Sequence, residues 1–173
     1  MPILVLIVST ALFWFVYWFV RMGGIEHVGE TMARRKATIR TAQAREAERV
    51  APLRAVDDAR DAAVVLMVLM ARVDRDPSRE HVAKIEGLMR DVFGFDHEVT
   101  PRLTQARFIA SRADRFEEAA GLLGDLLNKA LTRDEKRQLV GMVEEIARVD
   151  GPSMGQTEAV TVLERRLGLL PAY

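Results

Sequence analysis

The chain has 173 residues, 49% hydrophobic and 29% charged, and its 25 basic and 25 acidic residues cancel to a formal net charge of +0. That composition fits one folded domain with additional sequence, argues against disorder and supplies no net field for a nucleic-acid partner. Cysteine is absent, which rules out disulfides, thiolate metal ligands and a cysteine nucleophile.

The first predicted element is a membrane span over residues 1–22. From Pro2 to Val20 no residue is charged, and only Ser9 and Thr10 interrupt the apolar run. At about 1.5 Å per residue such a helix reaches roughly 30 Å, the thickness of a bilayer's hydrocarbon core. Phe13, Trp14, Phe15, Tyr17, Trp18 and Phe19 crowd its far end, where amphipathic rings suit the headgroup boundary, and Arg21 follows. A cleaved signal peptide would want a basic segment ahead of the apolar run, and none is present. The basic residues Arg21, Arg34, Arg35, Lys36 and Arg40 all follow the run. The positive-inside rule therefore predicts a single-pass anchor in the inner (cell) membrane, N-terminus outside and C-terminal domain in the cytoplasm.

Residues 23–54 read as a juxtamembrane helical linker. Gly23-Gly24 loosens the first helix, the apolar spacing thins to Val28, Met32 and Ile39, and Pro52 punctuates the end. Arg34, Arg35, Lys36 and Arg40 would also suit anionic lipid, but Glu46 and Glu48 dilute the charge and favour a solvated spacer.

Residues 55–173 read as an all-α bundle. The apolar stretch Ala62–Ala71 is too short to span a bilayer and is flanked by Asp57, Asp58, Arg60, Asp61 and Arg72, so it predicts a central core helix. Met67 and Met70 read as its filler. Ser78 is the expected N-cap of the next helix, with Val82, Ile85, Leu88 and Met89 on one face. Thr100-Pro101 reads as an N-cap followed by proline at the first helical position. A run from Phe116 to Leu131 spaces Ala119, Leu122, Leu123, Leu126 and Leu127 helically. Thr132 with Glu135, and Ser153 with Gln156, have capping-box spacing ahead of the last two helices. No sustained period-two pattern predicts a strand.

Two stretches echo each other roughly seventy-five residues apart: Met70-Ala71-Arg72-Val73-Asp74 ahead of Pro77-Ser78, and Ile146-Ala147-Arg148-Val149-Asp150 ahead of Pro152-Ser153. Each closes an apolar helix, turns through an Asp-containing loop and opens another helix. The following helices stop at Phe93-Gly94-Phe95 and Leu167-Gly168-Leu169. This doubled unit resembles the TerB-like domain of tellurite-resistance proteins, a version of which forms the N-terminal region of the membrane-anchored DnaJ-type co-chaperone DjlA. The likeness covers about residues 56–170, and the preceding span adds to it.

The resemblance implies a pattern of roughly Asp-Gly-x-hydrophobic-Ser-x-x-Glu, used twice. Here Arg75 stands at the first Gly, His81 at the first Glu and Gln156 at the second, and the second loop is one residue short. Gln caps a helix almost as well as Glu, so Gln156→Glu is expected to be neutral or mildly stabilising. His81 reads as an exposed first-turn residue, and Asp96-His97-Glu98 as a polar loop. No histidine precedes proline, so the His-Pro-Asp triplet of a J domain is absent.

Asp74, Asp76 and Asp150 are the candidate metal residues, hard oxygen donors for Mg²⁺ or Ca²⁺ if the two loops meet. Aspartate between a helix and a turn is also ordinary loop chemistry. Catalysis has no motif in its favour: there is no phosphate-cradling Gly loop, no Gly-x-Ser-x-Gly elbow and no His-Glu-x-x-His pair. The expectation is a non-enzymatic, membrane-anchored, protein-interaction or co-chaperone-like stress module, held to lipid by its span, with no nucleic acid and no resident cofactor. The alternative is a divalent-metal or tellurite-resistance-type ion-binding module.

Overall fold

The computed structural model describes residues 41–171. The expected span, the Gly23-Gly24 break and the basic cluster from Arg34 to Arg40 lie outside the described residues, and so do Ala172 and Tyr173. Among the described residues no helix is long and apolar enough to cross a membrane. The chain divides into a unit over Met1–Ala47, whose described residues 41–47 are helical, and a larger unit over Glu48–Tyr173.

Every regular element among the described residues is an α-helix. Helical backbone covers 41–54 (α1), and its portion in the larger unit buries Val50 and Leu53. Then come α2 (Ala59–Ala71), α3 (Arg79–Asp91), α4 (Val99–Ala110), α5 (Phe116–Ala130), α6 (Arg133–Ala147) and α7 (Met154–Arg166). The ten residues from Ala62 to Ala71 are all buried. A helix apolar on every side must be covered on every side, and α2 packs against α3, α4, α5 and α6 while α7 closes over α5 and α6. Burying side chains such as Leu66, Met67 and Met70 stabilises the fold by about 1.5–3 kcal/mol each before entropy is charged.

The punctuation of the helices follows local chemistry at most ends. Capping boxes form at Ser78, Thr132 and Ser153. The two Gly stops adopt positive φ, 68° at Gly94 and 69° at Gly168, where a side chain would be strained. At α4 the expectation fails. The helix begins at Val99 after Glu98, which gives no side-chain cap, and Thr100 and Pro101 lie inside its first turn. Val99 is 3% exposed, so burial of that side chain draws the helix start ahead of the Thr-Pro signal. The first turn needs no intrahelical N–H donor, and Pro101 is tolerated there.

Near that end Phe95 lies between two guanidinium groups, Arg60 at 4.8 Å and Arg102 at 4.3 Å from the ring centre. Arg102 donates to both oxygens of Asp61 at 2.8 and 2.9 Å and to Glu98 at 2.6 Å. These contacts fasten the α3–α4 turn to the start of α2.

Candidate site at the junction of the two loops

The two echoed loops converge. The first runs from α2 to α3 through Asp74, Arg75 and Asp76; the second runs from α6 to α7 through Asp150. At the start of α7 the Gln156 N–H donates to Ser153 Oγ at 3.0 Å, and the Ser153 N–H donates to Gln156 Oε1 at 3.1 Å. The Ser153 hydroxyl donates in turn to Asp74 Oδ2 of the other loop. Gln156 also reaches across, its Nε2 donating to the Met70 carbonyl at 3.4 Å, near the end of α2. One amide thus accepts at its own helix start and donates to a last-turn carbonyl of another helix, which also accepts the Val73 N–H at 3.3 Å.

Gly155 makes this approach possible. A Cβ there would lie 2.9 Å from Asp74 Oδ1 and 3.2 Å from Val73 Cγ1, so the first loop occupies the space a side chain would take. Glycine in a first helical turn sacrifices helix propensity. That sacrifice is a signal of close approach that the sequence carries at Gly155.

The start of α3 mirrors this arrangement with different chemistry. His81 N–H donates to Ser78 Oγ at 3.3 Å, while Nδ1 of His81 receives the Ser78 N–H at 3.3 Å and lies 2.8 Å from Ser78 Oγ. A backbone N–H can only donate, so Nδ1 is the ring's lone-pair nitrogen. His81 is 1% exposed, which corrects the expected surface position: it fills the third helical position of a capping box and is packed beneath the loops. Asp150 Oδ2 lies 3.7 Å from His81 Nδ1 and 3.7 Å from Arg75 Nη1.

Of the three candidate metal residues, Asp74 and Asp150 therefore stand on the facing loops, each against the N-terminal turn of the other unit's helix. Asp76 is exposed and makes no side-chain contact with either among the described residues. Among the described residues no group of three His, Asp or Glu side chains is placed to hold a metal ion.

Beside the junction lies an open cleft of about 330 Å³, with Leu69, Val73 and Phe116 toward its floor and Asp74, Arg115 and Glu158 among its charged lining. Its far wall is the α4–α5 turn, and Arg49 of α1 holds that turn. The Arg49 guanidinium donates to the Arg112 carbonyl and to both oxygens of Glu118, and it lies 3.4 Å from Asp114. Glu118 also accepts the Asp114 N–H at 2.9 Å. The hydrogen bond from Arg49 holds the Glu118 carboxyl below the usual carboxylate range, against the opposing pull of burial. Nothing local in the sequence marks Arg49, because its partners lie more than sixty residues away.

The family model described as Tellurite resistance protein TerB matches residues 60–167. No curated protein and no solved structure matches the chain.

Proposed function

This chain belongs to the TerB family, and on that premise we propose that its helical domain is a non-enzymatic protein-interaction module of the tellurite-resistance class. The observation that carries the proposal is the convergence of both loops beside an open cleft whose floor is apolar and whose lining is charged. Fixed walls favour binding because little ordering entropy is left to lose, and the Ser153–Asp74 and Arg49–Glu118 contacts fix two of them. The apolar run over residues 2–20 supports a tether to the inner membrane with the domain on the cytoplasmic side.

A photo-crosslinking residue at Glu158, in the cleft, and another at Arg137, on the solvated face of α6, test the interaction in whole cells. Adducts of defined mass are expected from Glu158 alone; the same adducts from both positions, or none from either, would overturn the proposal. Carbonate extraction tests the tether, and recovery of the full chain in the soluble fraction would remove it. Alkaline phosphatase fused after Tyr173 should be inactive if the domain faces the cytoplasm.

A divalent-metal or tellurite-resistance-type ion-binding module is the second reading. One observation favours it: Asp74 and Asp150 stand on facing loops of a TerB domain. Carboxylate oxygens would take Mg²⁺ or Ca²⁺, with Asp76 as a third donor if its loop moved. A rise in melting temperature with metal, lost in Asp74→Asn or Asp150→Asn, is the result this reading requires.

A further inference from the structure

Three of the chain's departures from the doubled pattern that the resemblance implies, at Arg75, His81 and Gln156, change charge in the same direction, and the structure shows what each replacement touches. With glutamate at both terminal positions and glycine after the first aspartate, the junction would hold four carboxylates and no cation. Here it holds Asp74 and Asp150 with His81 and Gln156, and Arg75 stands at the glycine position.

At 156 the side-chain nitrogen donates to the Met70 carbonyl. A carboxylate oxygen in its place would face another acceptor in a residue only 8% exposed, and either a proton or a cation between them would have to satisfy both. At 81 the ring lies 3.7 Å from Asp150 at a fully buried position. A carboxylate there would set two like charges side by side, which a retained proton or a bound cation relieves. Arg75, on the first loop, brings that charge to 3.7 Å from the same Asp150 oxygen of the second.

We propose that this junction supplies its own counter-charge: Arg75 is its resident cation, and the Gln156 amide and His81 imidazole stand where carboxylates would invite a divalent ion. The domain therefore closes its two loops without metal. This inference goes beyond the interaction module and stands apart from it, since partner adducts at Glu158 have no part in the test.

The test uses the purified full chain, wild type and Arg75→Gly/His81→Glu/Gln156→Glu, melted by circular dichroism in chelator, in millimolar CaCl₂ and in millimolar MgCl₂. Wild type is expected to melt at one temperature in all three. The triple variant is expected to melt several degrees lower in chelator and to regain several degrees with Ca²⁺. Should the triple variant be unfolded in chelator, Ca²⁺-induced helix is the same positive result. Should it stay unfolded throughout, the milder Arg75→Gly/Gln156→Glu pair and calorimetric titration of wild type with CaCl₂ decide. Saturable heat from wild type, a metal-raised wild-type midpoint, or a folded variant indifferent to both ions would each overturn the proposal.

Discussion

The helices that open the two echoed units, α2 and α6, both end in Ala-Arg-Val-Asp, yet they occupy opposite environments. All ten residues from Ala62 to Ala71 of α2 are buried, whereas α6 buries a single stripe of Leu139, Val140, Met142, Val143, Ile146 and Ala147. The shared signature fixes how each helix stops and turns. What surrounds the helix is set by the residues ahead of the signature, all apolar in one case and amphipathic in the other. A repeated local motif therefore carries loop geometry without carrying position in the fold.

The comparison breaks most visibly in the core. Met67→Ala in α2 should cost about 2–5 kcal/mol in denaturant unfolding, because a fully buried side chain leaves a cavity walled by four helices. Arg137→Ala on the open side of α6 should leave the midpoint unchanged. Similar losses at the two positions would mean that α2 is not the centre of the domain.

Next in size is the difference between the capping boxes. Gln156→Glu should destabilise by about 1–3 kcal/mol in chelator, since it takes one donor from the Met70 carbonyl and buries a carboxylate beside it. This reverses the neutral outcome that the spacing alone predicts. At the exposed Thr132 box, where Glu135 already accepts the Thr132 N–H at 2.7 Å, Glu135→Gln should leave the melt unchanged. A neutral Gln156→Glu would show that the reach to Met70 contributes nothing.

Ser78→Ala and Ser153→Ala should each cost about 1 kcal/mol as lost N-caps, and Ser153→Ala should be the larger because it also strips Asp74 of its donor. Thermal melts of the pair measure the asymmetry between the two loops directly; equal losses would remove it.

Interactions across three residues were readable in the sequence; those across sixty or more were not. The boxes at Thr132 and Ser153 and the N-cap at Ser78 were legible because serine or threonine followed three residues later by a side chain that can reach back is a self-contained signal. The central helix was legible because no amphipathic stripe could be drawn on it. The burial of His81, the second bond of Gln156, the reason for Gly155 and the role of Arg49 were hidden, since each depends on a loop or helix distant in the chain. Thr100-Pro101 misled for a related reason: a local cap signal lost to the burial of Val99.

The smallest expected effect concerns pH. A carboxyl whose folded pKa is depressed adds stability above its unfolded value, about 4.3 for glutamate, and that stability is lost as pH falls through the folded value. Glu118 is such a group, and the Arg49 hydrogen bond is the main cause. Arg49→Gln should therefore flatten the decline in stability as pH drops below about 4.3, and it should blunt the dependence on salt. An unchanged acid limb in chemical denaturation would separate Glu118 from Arg49 and release the turn that walls the cleft.

The bond from Gln156 to the Met70 carbonyl also has a consequence for synthesis. Its two ends lie 86 residues apart, and at about 5–20 residues per second the first emerges about 4–17 s before the second. During that interval the end of α2 has its turn chemistry but not its closing partners, because Ser153, Gly155 and Gln156 have yet to be made. The last turn of α2 waits for the last helix, although α3 to α6 already cover its sides. Slowing the ribosome between the two loops should lengthen the nascent domain's exposure to proteases and holdases.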